Sequence, residues 1–130
     1  MNALWIFLGG GLGSVARYLV SGWVASRIGE VFPWGTVFVN ISGSFLIGLL
    51  ATVTAPDGRF WMGTSARSFL LMGILGGYTT FSSFSWQTLE LVRNGQWGWA
   101  GGNVLLSVVL CLLAVAAGYG VGMLVNQKLG

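Results

Sequence analysis

The chain has 130 residues, of which 55% are hydrophobic and only 7% are charged, and its formal net charge is +3. Because soluble domains carry about 25% charged residues, this composition excludes a water-soluble globular protein. It predicts one all-α domain, residues 1–130, embedded in membrane lipid. The basic residues are scattered among loops, so no basic face for nucleic acid is expected.

Four apolar segments follow one another along the chain, and each reaches or exceeds the roughly 20 residues that a helix needs to cross a bilayer. We predict transmembrane helices over residues 3–25, 35–54, 68–92 and 98–125. The short connections hold nearly all the charged residues, and tryptophans cluster near the segment ends, as interfacial aromatic residues do. The pattern therefore predicts a multi-pass integral membrane protein.

Small residues recur four positions apart within the segments. Gly9 and Gly13 have this spacing in the first segment, and it is repeated at Ser44 and Gly48 and along Ala114, Gly118 and Gly122. Such spacing lets helix backbones approach closely. It indicates tight helix packing rather than a phosphate-binding loop, because no strand precedes the glycines and no Lys-Ser/Thr pair follows them.

Among the polar residues within apolar segments, Arg17, Asn40 and Ser107 stand out. Polar groups in hydrocarbon are costly unless they are paired or line a wet path. Arg17 can instead extend its long side chain to the membrane surface, and Asn40 can form an ordinary hydrogen bond between helices. The hydroxyl of Ser107 can bond back to its own helix. The residues alone leave these alternatives open.

The third segment contains the stretch GGYTTFSSF, residues 76–84. Gly76 and Gly77 predict a break in the helix, whose freed carbonyl groups would need a partner such as a hard cation. Helical spacing places Phe81 and Phe84 on one face, and their ring edges can face an anion. The alternative is a pair of core phenylalanines beside hydroxyls that cap a kinked helix.

The basic residues give no preferred orientation in the membrane. With four spans, one side holds Arg59, Arg67 and Lys128, and the other holds Arg17, Arg27 and Arg93. The positive-inside rule therefore favours neither side. Either weak signals set the orientation, or the chain inserts both ways and pairs with an inverted copy of itself.

An enzyme is not expected. The chain has no histidine, and its three acidic residues, Glu30, Asp57 and Glu90, lie far apart near loops. They provide no carboxylate pair, metal-ligand cluster or nucleophile with a base. Cys111 is the only cysteine, so no disulfide forms within the chain.

Three motifs, in order, resemble those of the Fluc (CrcB) family of fluoride channels, and the resemblance covers essentially the whole chain. They are GGGLGSVARY with Arg17, GTVFVNISGSFLIG with Asn40, and GGYTTFSSFS in the third segment. Ser83 stands where the family usually has threonine, which keeps the hydroxyl. Asn103 stands where a tyrosine or another residue type is expected.

The resemblance implies a channel that carries F⁻ passively down its electrochemical gradient and so removes fluoride from the cytoplasm. Two copies would form an antiparallel, dual-topology homodimer in a bacterial plasma membrane, with two separate pores at the dimer interface. The implied pore residues are Thr36, Asn40, Phe81, Ser82, Ser83, Phe84 and Ser107. Asn40 would offer its amide donor, the phenylalanines would line the path, and the hydroxyls would form a polar track.

The resemblance also implies one cofactor. The backbone carbonyls of Gly76 and Thr79 from both copies would hold a central, structural Na⁺ that is not transported. Arg17 would lie near a vestibule or at the dimer interface.

Two other classes compete with this interpretation. A small multidrug-type proton antiporter shares the size and dual topology, but it needs a carboxylate in mid-membrane. The first segment contains no acid, and Glu90 lies late in the third, close to Arg93. A structural membrane subunit without transport is the other class, and a fluoride-efflux assay separates it from a channel.

Overall fold

The fold is known from a computed structural model that describes residues 2–128, which are helical apart from short connections. The helices are α1 (Asn2–Ile28), α2 (Trp34–Val53), α3 (residues 64–78), α4 (Phe81–Arg93) and α5 (Trp97–Lys128). Among the described residues, α1, α2 and α5 are each long and apolar enough to cross a membrane. The predicted all-α class is confirmed for this part of the chain. The side chain of Lys128, which entered the charge balance, lies outside the described part.

The third apolar segment is divided into two half-helices. The first half, α3, consists of Thr64–Arg67, a wider π-helical stretch Ser68–Leu75, and Gly76–Tyr78. Thr79 and Thr80 then adopt extended backbone conformations before α4 begins. Thr80 caps α4, because its hydroxyl oxygen accepts a hydrogen bond from the backbone N–H of Ser83 at 3.1 Å.

The predicted break is present, but its predicted position at Gly76 and Gly77 is wrong. Gly76 has a helical backbone, with φ −62° and ψ −37°. Gly77 serves close packing instead, since a Cβ there would lie 2.6 Å from the carbonyl oxygen of Gly10 in α1. The chain departs from the helix two residues later, where a cap and a partner on α2 stabilise the extended backbone.

Two pairs of helices pack closely at contacts where glycines of one helix face the backbone of the other. We call these contacts glycine seams. In the pair α1–α3, a Cβ at Gly9 would lie 2.5 Å from the carbonyl oxygen of Phe69, and one at Gly13 would overlap the carbonyl oxygen of Ile74. In the pair α2–α5, a Cβ at Gly118 would overlap the carbonyl oxygen of Phe45. The close backbone approach predicted from the glycine spacing is therefore confirmed.

An arginine closes the C-terminal end of α2. Arg67 donates from Nε to Oγ1 of Thr54 at 3.0 Å and from Nη2 to the carbonyl oxygen of Ala51 at 2.9 Å. These groups lie at the negative end of the helix dipole, where a cation is stabilising. The connection between α2 and α3 is thereby fixed to the end of the span.

An aromatic and aliphatic cluster closes the opposite end. Its buried members are Phe32, Val37, Leu91 and Ala100. The ring of Phe32 lies 4.7 Å from that of Trp34 and 5.5 Å from that of Trp99, measured between ring centroids. The cluster joins the α1–α2 connection to α4 and α5, and so holds α4 in place beyond the break.

Candidate functional site

A groove of about 380 Å³ runs along the break in the third segment. Its walls come from the middle of α2, the extended residues, the first turn of α4 and the middle of α5. It is lined by Asn40, Gly76, Thr79, Phe81, Phe84 and Ser107, among others. Three parts of the chain that are distant in sequence, in α2, the broken third segment and α5, therefore meet at one site.

Asn40 holds the break from α2. Its Nδ2 donates to the carbonyl oxygen of Thr80 at 3.0 Å, and its Oδ1 accepts from the backbone N–H of Thr80 at 2.8 Å. The bond to the N–H of Thr80 replaces one that a continuous helix would have supplied, and the bond to its C=O adds to the first helical bond of α4, which a cap residue accepts. An amide nitrogen carries two hydrogens, and the bond to Thr80 uses only one. The other is available to the groove that Asn40 lines.

The carbonyl groups of Gly76 and Thr79 are among those that this departure from the helix releases. In an unbroken helix, the N–H of Thr80 would bond to Gly76 and the N–H of Ser83 to Thr79. Here the first donates to Asn40 and the second to the side chain of Thr80. Gly76 and Thr79 both line the groove. Their carbonyl oxygens have therefore lost their usual helical donors beside a cavity.

Arg17 contacts the break from α1. Its Nε donates to the carbonyl oxygen of Gly77 at 3.0 Å, and the side chain is partly buried. In a continuous helix this oxygen would bond to the N–H of Phe81. A cation at the C-terminal end of α3 is also favoured by the helix dipole. The structure thus joins Arg17 to the end of α3.

The two phenylalanines differ in exposure. Phe84 is 8% exposed, whereas Phe81 is 76% exposed. Their ring centroids lie 5.4 Å apart with the planes tilted by 48°. Both line the groove, so the helical spacing does bring the rings together.

Ser107 lies on the opposite wall, on a buried line of hydrogen bonds. Its hydroxyl donates to Oδ1 of Asn103 at 3.3 Å, and Nδ2 of Asn103 donates to Thr88 at 2.9 Å. The hydroxyl of Thr88 donates in turn to the carbonyl oxygen of Phe84 at 2.7 Å. Sequence reasoning missed the role of Thr88. Its position four residues after Phe84 is the signal that indicates a back-bonded hydroxyl.

The remaining predicted pore residues lie elsewhere. Among the described residues, Thr36, Ser82 and Ser83 are absent from the lining of the groove. Thr36 lines a polar pocket of about 630 Å³ at the end of the molecule. Ser82 is exposed, and Ser83 is partly buried in the first turn of α4.

The polar pocket and the groove lie along the same two helices. On α2, Thr36 lines the pocket and Asn40 lines the groove; on α4, Gln87 lines the pocket and Phe84 the groove. Residues three or four apart are neighbours on a helix surface, so the two cavities follow one another. Oε1 of Gln87 is buried and, within residues 2–128, has no hydrogen-bond partner. Sequence reasoning missed Gln87, which carries no distinguishing motif.

The sequence is similar to a known protein family and to several named proteins. Residues 4–119 match the family described as CrcB-like protein, Camphor Resistance (CrcB). The chain is 55% identical over 130 residues to a protein of Methylocella silvestris named fluoride-specific ion channel FluC, with 100% of this chain and 99% of that relative covered. A protein of the same name from Opitutus terrae is 60% identical over 116 residues, covering 89% of this chain and 88% of the relative. One from Rhodospirillum rubrum is 52% identical over 127 residues, with 98% of each chain covered.

Proposed function

Because the chain belongs to the CrcB-like family, we propose that it is a fluoride channel through which F⁻ leaves the cytoplasm down its electrochemical gradient. The chain is a multi-pass integral membrane protein, and its family is one of ion channels rather than enzymes. The observation that carries the proposal is the amide of Asn40, which keeps one hydrogen free beside the groove. The names of the relatives give no support to the antiporter alternative.

The chemistry of the groove suits a small, strongly hydrated anion. Fluoride sheds water only where hydrogen-bond donors replace it, and conduction requires that these donors release it again. None of the described residues that line the groove is charged. Asn40 supplies a neutral N–H, and the positive ring edges of Phe81 and Phe84 supply weak attraction. Fluoride can therefore enter the groove without being trapped by a cation.

Replacement of the phenylalanines tests the role of the ring edges. Phe81→Ile and Phe84→Ile keep apolar side chains but remove the edges, so we expect fluoride release from proteoliposomes to fall roughly tenfold. Phe7→Ile is the matched control, because Phe7 is 74% exposed on α1 and lies away from the groove. Liposomes loaded with chloride measure selectivity. Wild-type protein that releases no fluoride would contradict the proposed function, and unchanged flux in both groove variants would contradict the role of the rings.

A second copy of the chain is proposed to complete the pore. The groove is open on one side and contains an amide, hydroxyls and freed carbonyls, and such groups are costly against lipid. Two inverted copies would give two equivalent pores.

Balanced basic residues support the inverted pairing, and they give a test. Reporter domains fused to the C-terminus should be found on both sides of the membrane. Two or three lysines added to one side should bias the orientation and reduce activity, and co-expression of oppositely biased copies should restore it. A wild-type chain found in a single orientation would exclude the antiparallel dimer.

The freed carbonyls of Gly76 and Thr79 fit the proposed structural Na⁺. They are neutral oxygen ligands that have lost their helical donors. The described residues contain no group of three or more Cys, Asp or Glu side chains that a multivalent metal would favour. A Cβ at Gly76 would meet no atom closer than 3.8 Å, so the backbone here is accessible from the open side. When bound, Na⁺ would supply positive charge to these oxygens.

Exchange of Na⁺ for a large organic cation should lower both fluoride flux and dimer stability. The side-chain change Thr79→Val should have less effect than Gly76→Leu, because the proposed ligands are backbone oxygens and a leucine would cover them. Gly11→Leu is the control, since Gly11 also has open space around it. Flux and dimer stability that remain unchanged after demonstrated removal of Na⁺ would overturn the proposed ion.

A further inference from the structure

The hydroxyl of Ser107 borders the groove, but its proton points to another residue. Its Oγ donates to Oδ1 of Asn103 at 3.3 Å. Asn103 is 1% exposed and Ser107 is 6% exposed. A hydroxyl has one proton, so in this arrangement Ser107 presents lone pairs, rather than a donor, to the groove.

The direction of this bond is fixed from α4. Thr88 uses its only proton on the carbonyl oxygen of Phe84, so it can only accept at its contact with Asn103. The amide nitrogen of Asn103 must therefore face Thr88, as it does at 2.9 Å. Its carbonyl oxygen is then left to face Ser107, where it can only accept.

This arrangement creates competition for one proton. An anion in the groove is repelled by the lone pairs of Ser107 and is attracted once the hydroxyl turns toward it. That turn breaks the bond to Asn103, which at 3.3 Å is longer than a typical hydroxyl bond. Asn103 does not line the groove among the described residues, so it acts on an anion through Ser107.

We propose that Asn103 is a positioning residue that lowers the affinity of the groove for fluoride by holding the proton of Ser107. This inference rests on the proposed function. It gives Asn103 a role in release, because a groove that binds the ion less tightly lets it leave sooner. Thr88 acts in the same direction, since it orients the amide of Asn103.

The test is the fluoride concentration that gives half-maximal flux in proteoliposomes. Asn103→Leu removes the competing acceptor, and we expect this concentration to fall about threefold, as for loss of one modest hydrogen bond. Thr88→Val should shift it in the same direction, because the amide of Asn103 can then turn its N–H groups toward Ser107. If Asn103→Leu does not fold, Thr88→Val provides the test in its place. Ser26→Ala is the control, since that hydroxyl bonds to Trp23 on the exposed side of α1.

A double-variant comparison separates positioning from general packing. In a Ser107→Ala background, Asn103→Leu should cause no further shift. An equal shift with and without Ser107, or no shift in either single variant, would overturn the inference while leaving the fluoride channel intact. Absence of fluoride flux from the wild-type protein would overturn both.

Discussion

Asn40→Leu is expected to abolish measurable fluoride release and to loosen the break. The change removes the donor offered to the groove and both bonds to Thr80. The C=O of Thr80 keeps its bond within α4, but its partly buried N–H is left without a partner, which costs the extended segment about 1–3 kcal/mol. Fluoride efflux and thermal stability in detergent measure the two effects.

Ser42→Ala is the matched control for Asn40→Leu. Ser42 also lies on α2 and also bonds to the third segment, through the hydroxyl of Tyr78 at 2.9 Å, but it does not line the groove. It should lower stability with little effect on flux per folded protein. If Ser42→Ala abolishes flux as Asn40→Leu does, the loss of flux in both variants comes from weaker support of the break and not from loss of a donor to fluoride. Normal flux through Asn40→Leu would exclude the amide from the pathway.

Gly13→Ala is expected to destabilise the native helix pair α1–α3 strongly. Its Cβ would overlap the carbonyl oxygen of Ile74, and it would lie 2.9 Å from the backbone nitrogen of Tyr78. Backbone atoms cannot turn aside as a side chain can, and overpacking of this kind costs typically about 1–3 kcal/mol. We expect a large loss of folded protein after purification and a clear fall in its melting temperature.

Gly11→Ala provides the comparison for Gly13→Ala. Both glycines lie in α1, but a Cβ at Gly11 would meet nothing within 4 Å. Alanine raises helix propensity equally at both positions, by about 1 kcal/mol. The difference in stability between the two variants therefore measures the cost of the clash between α1 and α3. Equal stability of the two variants would show that α1 and α3 can separate without cost.

The helices could be predicted from the sequence because composition alone determines them. An apolar stretch that crosses lipid must satisfy its backbone within itself, and the observed helices begin and end within about four residues of the predicted ranges. The glycine spacing in α1 likewise indicated a close helix contact, because no side chain fits between such backbones.

The position of the break could not be predicted because distant residues decide it. Gly76 and Gly77 suggested flexibility, yet Gly77 is needed for contact with α1. The break is set by the bond between Asn40 and Thr80, which are 40 residues apart. Arg17 and Gly77 are 60 residues apart. A pattern of neighbouring residues in the sequence does not show either of these long-range hydrogen bonds.

The pairing of the helices also determines when the fold can be completed during synthesis. The glycine seams join α1 to α3 and α2 to α5, so the two pairs alternate along the chain. A ribosome that has made only α1 and α2 has made one partner of each seam. The first seam can close when α3 enters the bilayer, and the second must wait for the last helix. A nascent chain that stops before α5 therefore leaves the glycine face of α2, including Gly48, turned toward lipid or toward whatever insertion machinery shields it.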